Sequence, residues 1–141
     1  MFYPYHIEEN NGRFQCVVPD LKFYSEGDTP EESESIMKDS LTRYISDTYR
    51  KNGKPIPMPT EGDPSKDSLF YIDLKDSAWI LLWNLLREKH MSTSELSRLL
   101  NVSRQQGQRL VDGSGTVSID LYKKAFEALG YYLSLELNPY K

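Results

Sequence analysis

Residues Thr93–Gly113, TSELSRLLNVSRQQGQRLVDG, constrain the fold more than any other stretch of the chain. Apolar residues recur there at helical spacing, are interrupted by Leu100-Asn101-Val102-Ser103, and resume in a segment loaded with Arg and Gln. Two short helices joined by a tight turn satisfy that pattern, which is a helix-turn-helix. Leu96, Leu99, Leu100, Val102 and Leu110 supply the interior of the helix pair, and Ser103 is placed to cap the second helix. Arg104, Gln105, Gln106, Gln108 and Arg109 crowd the first turns of that helix. Arg pairs with guanine and Gln with adenine in the major groove, so Ser103, Arg104, Gln105, Gln106, Gln108 and Arg109 are the candidate DNA-binding residues. A solvated amphipathic helix would share the polar face but not the coincidence of turn, cap and polar set.

Gly107 breaks the pattern. Such motifs usually carry Val or Ile there, so glycine implies a missing core contact, a gap for Phe126 or Trp83 to fill. On this reading Gly107→Val should not destabilise the chain.

Charge divides the sequence. Residues 1–75 hold 9 Lys and Arg against 14 Asp and Glu, a net of −5, whereas residues 76–141 have a net of +1. Within Leu86–Leu110, Arg87, Lys89, Arg98, Arg104 and Arg109 face only Glu88 and Glu95. Phosphate attracts the second half and repels the first, so the first half should have a different, basic partner.

The single cysteine, Cys16, excludes an intrachain disulfide, and its apolar neighbours Phe14, Val17 and Val18 mark it as a buried structural thiol. The start MFYPYHIEEN lacks the pattern of a signal peptide. The longest apolar run, Ala78–Leu86, is interrupted by Asn84 and is far short of the about 20 residues a membrane span needs. A cytoplasmic protein with no membrane partner is expected.

The first half reads as strands around one helix. Phe2–Glu8 and Arg13–Val18 flank an Asn10-Asn11-Gly12 turn and form a hairpin. Leu21–Ser25 is a short third strand. Thr29-Pro30-Glu31-Glu32 opens a helix with a capping box, running to about Arg50. Pro55-Ile56-Pro57-Met58-Pro59 is extended and Leu69–Leu74 is another strand. Helices follow at about 77–89, 93–100, 103–112 and 119–129. Trp79 and Trp83 share a face of the first of these, suited to a core or to a dimer seam. Tyr131–Leu137 alternates cleanly, which predicts a final strand. That strand needs a partner, either its copy in a dimer or the first strands of the chain. The expected fold class is α+β, with a β-β-β-α-β domain over 1–75 and a helix-turn-helix bundle with a C-terminal strand over 76–141.

Other chemistry is weakly supported. His6 and His90 are the only histidines and lack a cysteine cluster, so no metal site is expected. No nucleophile elbow, Walker loop or dinucleotide fingerprint occurs. Asp20, Asp28, Glu31, Glu32 and Glu34 could hold magnesium in a nuclease, but the three glutamates open a helix whose dipole already favours them. No catalytic residue and no cofactor are expected.

Taken together, the two halves resemble the HicB antitoxins of bacterial type II toxin–antitoxin modules, in the helix-turn-helix subclass. Gly12-Arg13-Phe14, Val17-Val18, Pro19-Asp20-Leu21, Gly27-Asp28-Thr29-Pro30-Glu31-Glu32, and Gly53 followed by Ile56-Pro57-Met58-Pro59 occur in the family's order. So do Ile119-Asp120 and Ala128-Leu129-Gly130 behind the recognition helix. Ser33 in place of alanine, Lys22-Phe23 in place of Pro-Gly, and Gly107 depart from it. The resemblance implies a partial RNase H-like fold over 1–75 that is not itself a nuclease. It would neutralise HicA, a small basic mRNA interferase with a catalytic histidine, with Asp20, Tyr24, Glu26 and Asp28 as candidate toxin-binding residues. The second half would bind operator DNA as a homodimer or higher even oligomer and repress its own operon. A stand-alone regulator with a different sensor domain, or an RNase H-like nuclease, are the alternatives.

Overall fold

The computed structural model describes residues 1–139, so the last two residues of the expected second domain lie outside the described residues. The chain divides into two compact units, Met1–Ser77 and a second from Ala78 onward.

The first unit is a four-stranded antiparallel sheet in the order β3-β2-β1-β4, with one long helix on one face. Strands β1 (Phe2–Asn10) and β2 (Arg13–Val18) form the expected hairpin. Its two-residue loop is Asn11-Gly12, both at positive φ (53° and 79°), the conformation whose twist suits a hairpin and which Asn-Gly adopts most cheaply. A single 3-10 turn, Pro19–Leu21, ends with Lys22 in the left-handed region and leads into the edge strand β3 (Phe23–Gly27). The third strand therefore starts two residues later than the sequence implies, because the turn takes up Leu21.

Helix α1 (Pro30–Thr48) begins at the predicted residue, with Thr29 Oγ1 accepting from the Glu32 amide at 3.1 Å, but the Glu32 carboxylate does not return to the Thr29 amide, so only half of the expected capping box forms. Its buried stripe is Ser33, Met37, Leu41 and Ile45, which meets Tyr3, Tyr5, Cys16, Val18 and Phe23 from the sheet. At its start the helix comes unusually close to β3. A Cβ at Gly27 would lie 2.7 Å from the Ser33 amide and 2.9 Å from Glu32 Cβ. Ser33, fully buried, turns its hydroxyl back to Pro30 O, while Ser25 donates to Ser33 O at 2.6 Å. Both buried hydroxyls are thus satisfied.

After α1 the chain runs extended through the proline segment. Tyr3 Oη donates to Pro57 O, Ile56 is buried, and Asp20 accepts from both the amide and hydroxyl of Thr60. Strand β4 (Ser68–Tyr71) then joins β1 at the other edge.

Helix α2 (Leu74–Glu88) starts three residues earlier than expected. Asp73 explains this: its carboxylate accepts from the Asp76 amide at 2.8 Å, so Lys75-Asp76-Ser77 is a first helical turn rather than a break. Helices α3 (Thr93–Leu100), α4 (Arg104–Asp112) and α5 (Ile119–Ala128) complete the second unit. Its core holds Trp79, Ile80, Leu82, Leu86, Leu96, Leu110, Val111, Tyr122, Ala125 and Phe126. Trp79 lies in that core, whereas Trp83 is half-buried with Arg87 stacked 5.6 Å from its ring. Tyr122 Oη donates to Leu110 O, tying α5 to α4.

One expected element is missing. Residues 131–139 form no strand, and the sheet consists of β1–β4 alone. Alternation tells which side chains share a face but not where the backbone finds hydrogen bonds, and a single chain offers this segment no ladder.

Candidate nucleic-acid interface and acidic sheet face

The helix-turn-helix is built by four caps. Ser92 and Glu95 form a full capping box at the start of α3. Asn101, at φ 55°, ends that helix in the left-handed region, with the Val102 amide bonded to Ser97 O. Ser103 then accepts from the Gln106 amide at 3.0 Å and starts α4, as the sequence implies. Gly113, at φ 71°, closes α4 where a Cβ would strike the Trp79 ring.

Helix α4 turns Gly107, Leu110 and Val111 inward and leaves Arg104, Gln105 and Gln108 exposed on the other side. Gln108 reaches Asp112 at 3.5 Å. Gln106 and Arg109 are half-buried, and the Arg109 guanidinium lies against Gly115, where a Cβ would be 3.1 Å from Nε. Ser103 is exposed, but its hydroxyl oxygen is engaged as the cap.

Gly107 is not a hole. A Cβ built there would overlap Ser97 Oγ and stand 3.1 Å from Ser97 Cβ. Ser97 is buried on α3 and donates to Thr93 O at 2.9 Å. The expected gap is therefore filled, not by Phe126 or Trp83, but by a serine that lets α3 and α4 approach closely. A side chain at 107 requires Ser97 to give way, which runs against the expectation that valine is accommodated there. Sequence reasoning missed Ser97, although a serine beside Leu96 facing a glycine is the signal of such a contact.

In the first unit, Tyr24 and Glu26 project from β3 on the face away from α1, with Phe23, Ser25 and Gly27 turned inward. Arg13 gathers Asp28 (2.7 Å) and Glu26 (3.7 Å), and Gln15 donates to Glu26 at 3.0 Å. Toward the other edge, the same face carries exposed Leu69 and Tyr71, the latter against Phe2. Asp20 does not join Tyr24, Glu26 and Asp28; its two carboxylate oxygens hold Thr60. Burial pushes the Cys16 thiol up to about 11, with Glu34 adding to the shift, as suits a structural thiol. Among the described residues no group of three His, Cys, Asp or Glu could hold a metal ion, and no helix is long and apolar enough to cross a membrane.

Residues 81–124 match the Cro/C1-type HTH DNA-binding domain, which spans the geometry just described. Along nearly its whole length the chain is similar to "Antitoxin HicB 2" of Photorhabdus laumondii, 31% identical over 96% of this chain and 95% of that protein.

The chain belongs to the HicB antitoxin family.

Other HicB proteins agree. "Antitoxin HicB" of Pseudomonas fluorescens is 29% identical over 94% of this chain and 89% of its own. "Antitoxin HicB" of Escherichia coli K12 is 29% identical over 79% of each. The alignments with the first two take in the sheet unit as well as the helix-turn-helix, so the family resemblance read from the motifs holds, as does the α+β class. This HicB chain carries a DNA-binding domain of Cro/C1 type behind its sheet.

Proposed function

We propose that this protein neutralises a small basic toxin of the HicA type, an mRNA interferase, and represses its own operon by binding operator DNA. The observation that carries the reading is the near full-length similarity to HicB antitoxins, which joins both units in one homologous chain. Toxin binding falls to the acidic domain, residues 1–75, and operator binding and dimerisation to residues 76–141. The protein acts in the cytoplasm by binding, without catalysis or cofactor.

Two physical features support the division. A net of −5 over residues 1–75 attracts a cationic toxin and raises its association rate. The edge strand β3 presents Tyr24 and Glu26, with Asp28 just beyond its end, beside a backbone edge open within the sheet, a surface suited to an added partner strand or a basic helix. In the second unit, exposed Arg104, Gln105 and Gln108 share the free side of α4, with Ser103, Gln106 and Arg109 fixing or flanking it. A dimer sets two such helices about one turn of DNA apart.

The test is co-expression with the basic product of the adjacent gene, followed by pull-down and growth rescue. The reading requires a stable complex and restored growth. A chain that binds operator DNA but neither captures nor neutralises that product would be a regulator with another sensor partner, and the toxin half of the reading would fall.

A further inference from the structure

Among the described residues, two buried side-chain atoms lack a hydrogen-bond partner, and they face each other: His6 Nδ1 and Asp67 Oδ1, 3.4 Å apart. Native proteins leave few such atoms unsatisfied, so a facing pair calls for a cause. His6 stands on β1, on the sheet face away from α1, opposite Val17 of β2. Its other ring nitrogen, Nε2, meets Glu8 Oε1 at 2.8 Å. Residues 62–67 form a tight turn laid against the same face, where a Cβ at Gly62 would lie 2.6 Å from Pro4 Cβ. The Lys66 and Asp67 amides donate to Asp63 O, and the Asp63 amide donates to Asp67 Oδ2 at 2.7 Å. One oxygen of Asp67 thus closes the turn, and the other is aimed at His6. The Asp67 side chain is only 10% exposed, so water does not relieve that second oxygen.

Hydrogen-bond chemistry fixes what is missing. A neutral imidazole has one N–H and one lone pair, and a carboxylate only accepts. With the N–H on Nε2 and given to Glu8, the Nδ1 lone pair is turned on a carboxylate oxygen. Moving the N–H to Nδ1 carries the same conflict to Glu8. One added proton resolves both, because an imidazolium donates from each nitrogen. We propose that His6, Glu8 and Asp67 form a proton-binding site that clasps the turn at 62–67 to β1, closed with the proton bound and loosened when it leaves. Glu8, with the shorter contact, keeps the single N–H of the neutral ring, and Asp67 is the partner released. The charged groups set about the ring are Glu8 from β1 and Asp67 from the turn, with Asp63 and Lys66 further along that turn; β2 brings Val17, and Tyr24 of β3 follows it in the same row. The closed form holds one proton more than the open one, so closure is favoured as pH falls and lost as pH rises. The clasp depends on neither the toxin nor the operator reading.

Amide hydrogen exchange of the full chain reads the turn directly, through the Asp63, Lys66 and Asp67 amides that close it. It is followed at about pH 5 and about pH 8, either side of the range in which histidines change charge, with correction for intrinsic exchange. Asp63 stays ionised across that interval, because hydrogen bonds from Ser65 hold its carboxyl below the usual carboxylate range. Protection in the parent should be about tenfold greater at the lower pH, the scale of one charge-assisted bond. Asp67→Asn keeps the shape but offers an amide N–H to the Nδ1 lone pair while its oxygen still accepts from Asp63, so the turn should be protected equally at both pH values. Glu8→Gln should do the same, by donating to Nε2 and leaving the ring N–H for Asp67. His90→Gln, which removes the other histidine, should leave the parent's dependence unchanged. Equal protection at both pH values in the parent, a dependence lost with His90, or Asp67→Asn and Glu8→Gln turns that remain pH-dependent or open throughout would overturn the clasp.

Discussion

Replacing Gly107 by alanine sets two effects of opposite sign against each other, and the structure decides between them. Alanine in a helix interior is favoured over glycine by about 1 kcal/mol. Against this, the new Cβ overlaps Ser97 Oγ, so the hydroxyl must rotate away from Thr93 O and forfeit a bond of about 1 kcal/mol net. Rotation alone is not enough, because Ser97 Cβ remains at 3.1 Å and the two helices must separate by a few tenths of an ångström. Overfilling of a packed contact costs about 1–3 kcal/mol. The expected outcome is a net loss of about 1–3 kcal/mol for Gly107→Ala, and more for Gly107→Val, whose branches meet the same wall. Ser97→Ala alone should be nearly neutral, since it removes the buried hydroxyl together with its bond, leaving no unpaired donor, and alanine's better helix propensity offsets what is lost. The diagnostic variant combines Ser97→Gly with Gly107→Ala, which moves the side chain from one helix to the other and should recover most of the loss. Urea unfolding followed through the fluorescence of Trp79 and Trp83 reads these differences, and a double-mutant cycle isolates the coupling. A Gly107→Ala variant as stable as the parent, or a cycle with no coupling, would refute the close-approach account.

Four further outcomes are expected. Arg104→Ala should weaken operator binding by about 1–3 kcal/mol while leaving toxin binding unchanged in a gel-shift and pull-down pair, and loss of both in a folded variant would contradict the separation of functions. Operator affinity should fall as salt rises, because counterions are released from phosphate, and a flat response in a salt titration would show that phosphates are not contacted. Asp20→Ala removes both acceptors of Thr60 and should cost about 1–2 kcal/mol in denaturant unfolding; unchanged stability with weakened toxin binding would make Asp20 a contact residue instead. The Cys16 thiol, raised to about 11, should stay neutral and slow toward thiol reagents at pH 9 in the folded chain and react quickly in denaturant. Because the folded value lies above the unfolded one, its contribution to stability is full below pH 9 and is lost as pH climbs through 11.

The features that sequence reveals best here are those fixed by neighbours in the chain. Asn11-Gly12 specifies its turn, Thr29-Pro30 its helix start and Ser103 its cap, because each acts on atoms two or three residues away. Asp73 acts as locally, but its cap is hidden by the polar run Lys75-Asp76-Ser77, which reads as a break until the Asp76 amide is seen on the Asp73 carboxylate. Long-range partners leave no such mark. Asp20 and Thr60 are 40 residues apart, and nothing at either position announces the other. Gly107 and Ser97 lie between these cases. Each is unremarkable alone, and only the facing of α3 and α4 shows that a missing side chain on one is answered by a short one on the other. The C-terminal alternation is a related case: it encodes a face, whereas a strand is a property of two segments, and within one chain residues 131–139 are in no strand.

The contact between Gly27 and Ser33 bears on how this stretch of the chain should be used. With the Ser33 amide 2.7 Å from where a Cβ would stand, position 27 admits no side chain, and the packed face of α1 leaves position 33 room only for a small one. Gly27 and the small Ser33 are thus geometric requirements for laying α1 on its sheet. Those two positions therefore report on the scaffold, whereas Asp28 between them is exposed and paired with Arg13, on the surface assigned to the partner in the proposed function. On the proposed function, swapping partner preference between two such proteins would mean transplanting the outward set around Arg13, Gln15, Tyr24, Glu26 and Asp28, with Gly27 and Ser33 left untouched.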